Sequence, residues 1–191
     1  MNWETILCLG DSITFGARSY LGYPEYTGAL LEASLGKSWN IVNHAVNGYT
    51  AIDLNRSVSQ HYAALHAHQP LLTTILIGTN DAKTGTPVEE YQIALEQLIV
   101  KAVLLTENRH VLLLHIPTFP GGVAYPFTTE MNATIEQYNT VIDTLATKHK
   151  LPSLTLQLEP GHVPDGVHLG REGCQHVAQQ LAHYVLKERG L

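Results

Sequence analysis

Short apolar runs alternate along the chain with longer amphipathic stretches. Residues 5–9 (Thr-Ile-Leu-Cys-Leu) are almost wholly apolar and end at Gly10, a pattern that predicts a buried strand. A helix is predicted over 26–35, stopped by Gly36, and a short strand over 40–43. Helical spacing continues over 52–67, ahead of Pro70. Residues 71–77 form a second apolar, partly β-branched run ending at Gly78. Pro87 opens a long helix reaching about residue 107, since proline suits the first turn of a helix. A buried strand is predicted over 111–116, a helix from 128 to about 150, a fifth strand over 153–158 and a last helix within 170–189. Strands that are apolar throughout, alternating with helices, imply a parallel sheet covered on both faces. No repeat, linker or low-complexity tract interrupts the pattern, so residues 1–191 read as one domain.

Composition narrows the class. The chain of 191 residues is 45% apolar and 15% charged, ordinary for a globular protein and unlike a disordered one. Its formal net charge is -6, and its 11 Lys and Arg form no basic run, so the electrostatic footprint of nucleic-acid binding is missing. No apolar run approaches the length of a membrane span. Cys8 and Cys174 show no metal-type spacing and suggest two free thiols in a reducing compartment. The N-terminal residues show no basic segment followed by a long apolar one, so a cytoplasmic protein is expected.

Candidate chemistry falls at one edge of the predicted sheet. In open parallel sheets, sites form beyond the carboxyl ends of the strands. Ser12 follows the first strand, residues 43–48 the second, Gly78-Thr79-Asn80-Asp81 the third, and Asp165 and His168 the fifth. A serine hydroxyl is a poor nucleophile unless a base lies within hydrogen-bond reach and a third group holds that base's tautomer. His168 suits the base, and Asp165, three residues earlier, suits its partner. Acyl transfer also needs donors for the developing oxyanion. The Ser12 and Gly48 backbone N–H groups and the Asn80 side-chain amide suit that role. Taken singly, Ser12 could cap a helix, and Gly48 and Asn80 could be turn residues. Asp11 and Asp81 read as structural, Asp81 capping the segment that follows its strand.

Four blocks in order carry a resemblance: Gly10-Asp11-Ser12-Ile13-Thr14, Asn43-His44-Ala45-Val46-Asn47-Gly48-Tyr49-Thr50, Gly78-Thr79-Asn80-Asp81 and Asp165-Gly166-Val167-His168-Leu169. The chain resembles the SGNH hydrolases, also called the GDSL esterase/lipase family. It departs from that family's pattern at Ile13, where the family name has Leu, and at Ala45, where Gly is common. The resemblance implies a five-stranded α/β/α sandwich resembling flavodoxin and hydrolysis of carboxylic esters or thioesters without a cofactor. It assigns Ser12 as nucleophile, Gly48 and Asn80 as oxyanion donors, His168 as base and Asp165 as its partner.

The expected reaction cleaves small-molecule esters of small or medium acyl groups through an acyl-enzyme. Acyl transfer to an alcohol or sugar, a preference for thioesters, and a non-catalytic binding module are the alternatives. The 11 histidines show no HExxH or comparable spacing, so no metal is expected. His44, inside the second block, either lines the site or is a hydrogen-bonded structural residue. Phe119, Tyr125 and Phe127 lie in an irregular Pro- and Gly-bearing stretch after the fourth strand; they form either an apolar wall for substrate or a cover for the core. Tyr20, Tyr23 and Tyr26 carry the same two readings. Oligomeric state is not legible.

Overall fold

The computed structural model describes residues 3–107 and 110–188. Strands β1 (Glu4–Gly10), β2 (Trp39–Ala45), β3 (Leu72–Leu76), β4 (His110–Leu114) and β5 (Ser153–Leu154) form a parallel sheet in the order β2-β1-β3-β4-β5. The helices are α1 (Ser12–Phe15), α2 (Tyr23–Leu35), α3 (Ala51–Gln60), α4 (Tyr62–Ala67), α5 (Thr79–Thr84), α6 (Val88–Leu105), α7 (Asn132–His149) and α8 (Arg171–Glu188).

The strands are apolar throughout because both faces are covered. Side chains alternate across a strand, so Leu7 and Leu9 of β1 join one core and Ile6 and Cys8 the other. The first core takes Val111 and Leu113 from β4 and packs under α3, α6 and α7 through Leu54, Leu98 and Leu145. The second takes Leu112 and Leu114 and packs under α2 and α8 through Leu31, Val177 and Leu181. This is the three-layer α/β/α arrangement that the sequence implies. Among the described residues no helix is long and apolar enough to cross a membrane. Cys8 and Cys174 are both buried free thiols.

Several boundaries differ from the sequence expectation, for physical reasons. The helix predicted over 52–67 breaks at His61, whose backbone has φ -103° and ψ 10°. His61 donates from both its backbone N–H (3.0 Å) and its ring Nδ1 (2.9 Å) to the Ser57 carbonyl. The strand predicted over 111–116 starts at His110 and ends at Leu114; the His115 N–H still donates to the Leu154 carbonyl of β5 at 3.0 Å, and beyond it side chains replace the neighbouring strand. Asn139 of α7 accepts from Ile116 N (2.8 Å) and donates to Ile116 O (3.0 Å), and Asn132 does the same for Phe119 (2.8 and 2.9 Å). The fifth strand, predicted over 153–158, is only Ser153–Leu154. Gln180 of α8 serves the backbone of Gln157 in the same two-handed way, at 2.9 and 3.0 Å. The helix predicted from 128 begins as a 3-10 turn, Thr129–Met131, and is α-helical only from Asn132. The last helix fits its expected place, except that Arg189 lies outside the described residues. Helix α2 starts at Tyr23, three residues early, with Pro24 in its first turn.

Candidate active site

Strand register gathers the blocks. Gly10, last residue of β1, lies opposite Ala45 at the end of β2 and Leu76 at the end of β3. Segments leaving these three strands therefore start side by side. The Val46 N–H then donates to the Gly10 carbonyl at 3.2 Å, drawing the second block against the first. Sequential connections leave β1 for β2 on one side and reach β3 on the other, so the blocks meet at a topological switch point. Gly10 itself must lack a side chain: a Cβ there would stand 2.7 Å from the Leu76 carbonyl oxygen and 2.2 Å from Thr14 Oγ1.

Ser12 is the first residue of α1 and is only 7% exposed. Asp11 caps that helix, accepting from Ile13 N at 3.0 Å. Asp11 is fully buried, and its Oδ2 has no hydrogen-bond partner among the described residues. Burial pushes its carboxyl up to about 7, reinforced by the charge of Asp81 and opposed by the Ile13 hydrogen bond.

His168 reaches Ser12 across 156 positions of sequence, its Nε2 standing 3.0 Å from Ser12 Oγ. Its Nδ1 lies 2.9 Å from Asp165 Oδ2. A carboxylate only accepts, so Nδ1 carries the proton, and the lone pair of neutral Nε2 faces the serine hydroxyl. Asp165 is fixed by its own turn: its Oδ1 accepts from Val167 N (3.0 Å) and His168 N (2.7 Å). Burial alone would raise the Asp165 carboxyl, but these hydrogen bonds and the His168 ring hold it well below the usual carboxylate range. Arg18, on the loop after α1, also donates from Nε to Asp165 Oδ2 at 3.1 Å. The sequence offers no spacing signal for Arg18, since 147 positions separate the pair.

Asn80 is 3% exposed in the first turn of α5. Its Nδ2 donates to the Tyr49 carbonyl at 3.0 Å, next to Gly48, and its Oδ1 accepts from Lys83 Nζ at 2.9 Å. Gly48 has φ 84°, in the region that favours glycine, and a Cβ there would meet no protein atom within 4 Å. Backbone geometry therefore accounts for this glycine. Asp81 caps a different helix from the one expected: both its oxygens accept from Ala51 N, at 3.2 and 2.9 Å, at the start of α3. Burial raises its carboxyl to about 6, against the Ala51 hydrogen bond. Asp81 thereby ties the third block to the far end of the second.

The remaining candidates divide. His44 pairs with Ser57 of α3 at 3.0 Å, and burial, followed by the neighbouring His61, lowers its pKa. Phe119 is 5% exposed and belongs to the core, its ring against Phe127 with centroids 5.2 Å apart. Phe127 packs partly buried on that core, whereas Tyr125 is 94% exposed. Tyr23 is fully buried and hydrogen-bonds Thr14 of α1 at 3.0 Å, which makes it structural. Tyr20 is exposed, and Tyr26 packs partly buried on the second core. Among the described residues no group of three or more His, Cys, Asp or Glu is placed to hold a metal ion.

A Ser–His–Asp chain at the carboxyl edge of a parallel α/β sheet is the arrangement of serine hydrolases. The chain belongs to the GDSL-like lipase/acylhydrolase family, whose model matches residues 8–176, and is thus a serine ester hydrolase. Solved structures share the fold. The acetylxylan esterase Axe2 from Geobacillus stearothermophilus is 24% identical with a TM-score of 0.72, over 98% of this chain and 94% of that one. The α/β hydrolase LAE5 from the metagenome of Lake Arreo, Spain, is 20% identical with a TM-score of 0.73, over 94% of each chain. No curated protein sequence matches.

Proposed function

We propose that this enzyme hydrolyses carboxylic esters of small or medium acyl groups through a covalent acyl-enzyme on Ser12. The observation that carries the reading is the continuous hydrogen-bonded chain from Ser12 Oγ through both ring nitrogens of His168 to Asp165, at 3.0 and 2.9 Å. His168 Nε2 takes the hydroxyl proton as Ser12 Oγ bonds to the substrate carbonyl carbon. Asp165 steadies the imidazolium that results. The carbonyl oxygen gains negative charge and is held by the backbone N–H groups of Ser12 and Gly48 and by the Asn80 amide. His168 then gives its proton to the leaving alcohol, and the C–O bond breaks. In the second half, His168 takes a proton from water as the water oxygen bonds to the acyl carbon, then returns that proton to Ser12 Oγ as the bond from Oγ to the acyl carbon breaks and the acid leaves. Every proton moves among His168, Ser12, the substrate and the attacking water, and no cofactor takes part.

The size preference rests on the segments after β4 and β5, residues 115–128 and 155–170, which hold no helix longer than the 3-10 turn Pro160–His162 and so form no separate lid domain. The acetylxylan esterase of like fold acts on a short acyl ester, in keeping with this preference. Esters of one alcohol with acyl chains of two to about twelve carbons, assayed on wild type and Ser12→Ala, form the test. Activity should be highest for the short chains, and Ser12→Ala should lose a factor on the order of 10³ or more. Near-wild-type turnover by Ser12→Ala would remove the serine mechanism. A maximum at the long chains would remove the size preference.

A further inference from the structure

One cation touches the proposed oxyanion machinery. Lys83 lies three residues after Asn80 on α5 and reaches back so that Nζ donates to Asn80 Oδ1 at 2.9 Å. On the other side of the amide, Nδ2 donates to the Tyr49 carbonyl at 3.0 Å. An ammonium can only donate and a carbonyl can only accept, so the two contacts define which end of the amide is which. A single contact would leave the amide free to swing about its Cβ–Cγ bond; two contacts on opposite ends fix its plane. One of the two Nδ2 hydrogens is spent on Tyr49, and the second is thereby held in one direction.

The contact also acts electronically. A positive charge on the carbonyl oxygen of an amide draws electron density from its nitrogen and strengthens the N–H as a donor. The Lys83 ammonium is itself sheltered, lying 5.7 Å from the centre of the Phe127 ring. Phe127 rests on buried Phe119, so the ring over Lys83 is backed by the core.

We propose that Lys83 is a positioning residue that orients and polarises the Asn80 amide for the developing oxyanion, an inference that rests on the oxyanion role given to Asn80 above. Lys83 does not touch the reacting atoms; it acts through Asn80. Its contribution should therefore exist only while Asn80 is present, and only in the transition state.

A double-mutant cycle on hydrolysis of a short-chain aryl ester tests this, with Lys83→Met, Asn80→Ala and the pair. Methionine keeps the apolar stem of the lysine and removes its ammonium. Lys83→Met should lower kcat about tenfold and change KM by less than about twofold, as expected for a donor that serves the transition state. In the Asn80→Ala background the same substitution should change kcat by less than about twofold. Lys83→Arg restores a donor and should recover most of the loss. Lys83→Ala, which likewise removes the ammonium, takes the place of Lys83→Met in the cycle if that variant fails to fold. An equal loss in both backgrounds, or unchanged kcat in Lys83→Met while Asn80→Ala is strongly impaired, overturns the role of Lys83 alone. Full activity in Asn80→Ala overturns the oxyanion reading beneath it, and the proposal with it.

Discussion

Asp11 stands beside Ser12 yet takes no part in the proposed chemistry, and its environment has a consequence for stability. One carboxylate oxygen caps α1 while the other meets no donor among the described residues. Its pKa rises from the ordinary 3.8 to about 7. An acid with a raised folded pKa binds its proton more tightly in the folded state. The resulting penalty is absent below about pH 4 and grows as pH rises through the window up to about 7, with stability falling as it grows. Asp11→Asn keeps an oxygen for Ile13 N and removes the ionisation. The melting temperature of Asp11→Asn relative to wild type should therefore climb between pH 4 and 7 and level off above; a constant difference would show that Asp11 is ionised throughout. At this scale the sequence made much of the site legible. Ser12, Asp165 and His168 carry recognisable chemistry at recognisable places, and the structure brings them into one hydrogen-bonded chain. Arg18 was not legible, because only the fold carries it to Asp165. Lys83 had a faint signal, its spacing of three from Asn80, but this has meaning only once residues 79–84 are known to be helical.

Elements were legible where periodicity was long. Helices α6 and α7 and strand β1 stand close to their expected places because burial on one stripe or both faces leaves a strong pattern. The short helices α1 and α5 leave no period, being four and six residues long. Strand ends were misread for one shared reason. Apolar sequence continues past Leu114, but Asn139 and Asn132 take over the backbone pairing there, and Gln180 does so for Gln157. Hydrophobicity cannot report which partner a backbone group finds. Asn139 holds both backbone groups of Ile116, whose side chain is buried. Asn139→Ala should therefore destabilise the fold by about 1–3 kcal/mol, the cost of leaving a buried polar group unpaired. Denaturant unfolding measures this, and a change below about 0.5 kcal/mol, typical of surface positions, would show that water replaces the amide.

Across the whole molecule, the parallel sheet is what turns distant sequence into a site. Ser12 and His168 are 156 positions apart, yet each follows a strand end on the same edge of one sheet. Alternating apolar and amphipathic runs were enough to infer that edge, whereas the convergence of the blocks on it needed the register of Gly10 with Ala45 and Leu76. The proposed mechanism turns on Ser12 acting as an activated covalent nucleophile. Intact-mass measurement after exposure to a fluorophosphonate, followed by peptide mapping, tests it most directly. One adduct per chain, on the peptide bearing Ser12 and absent in Ser12→Ala and after denaturation, is the predicted result. No adduct on active wild-type enzyme, or an adduct that persists in Ser12→Ala, would contradict it.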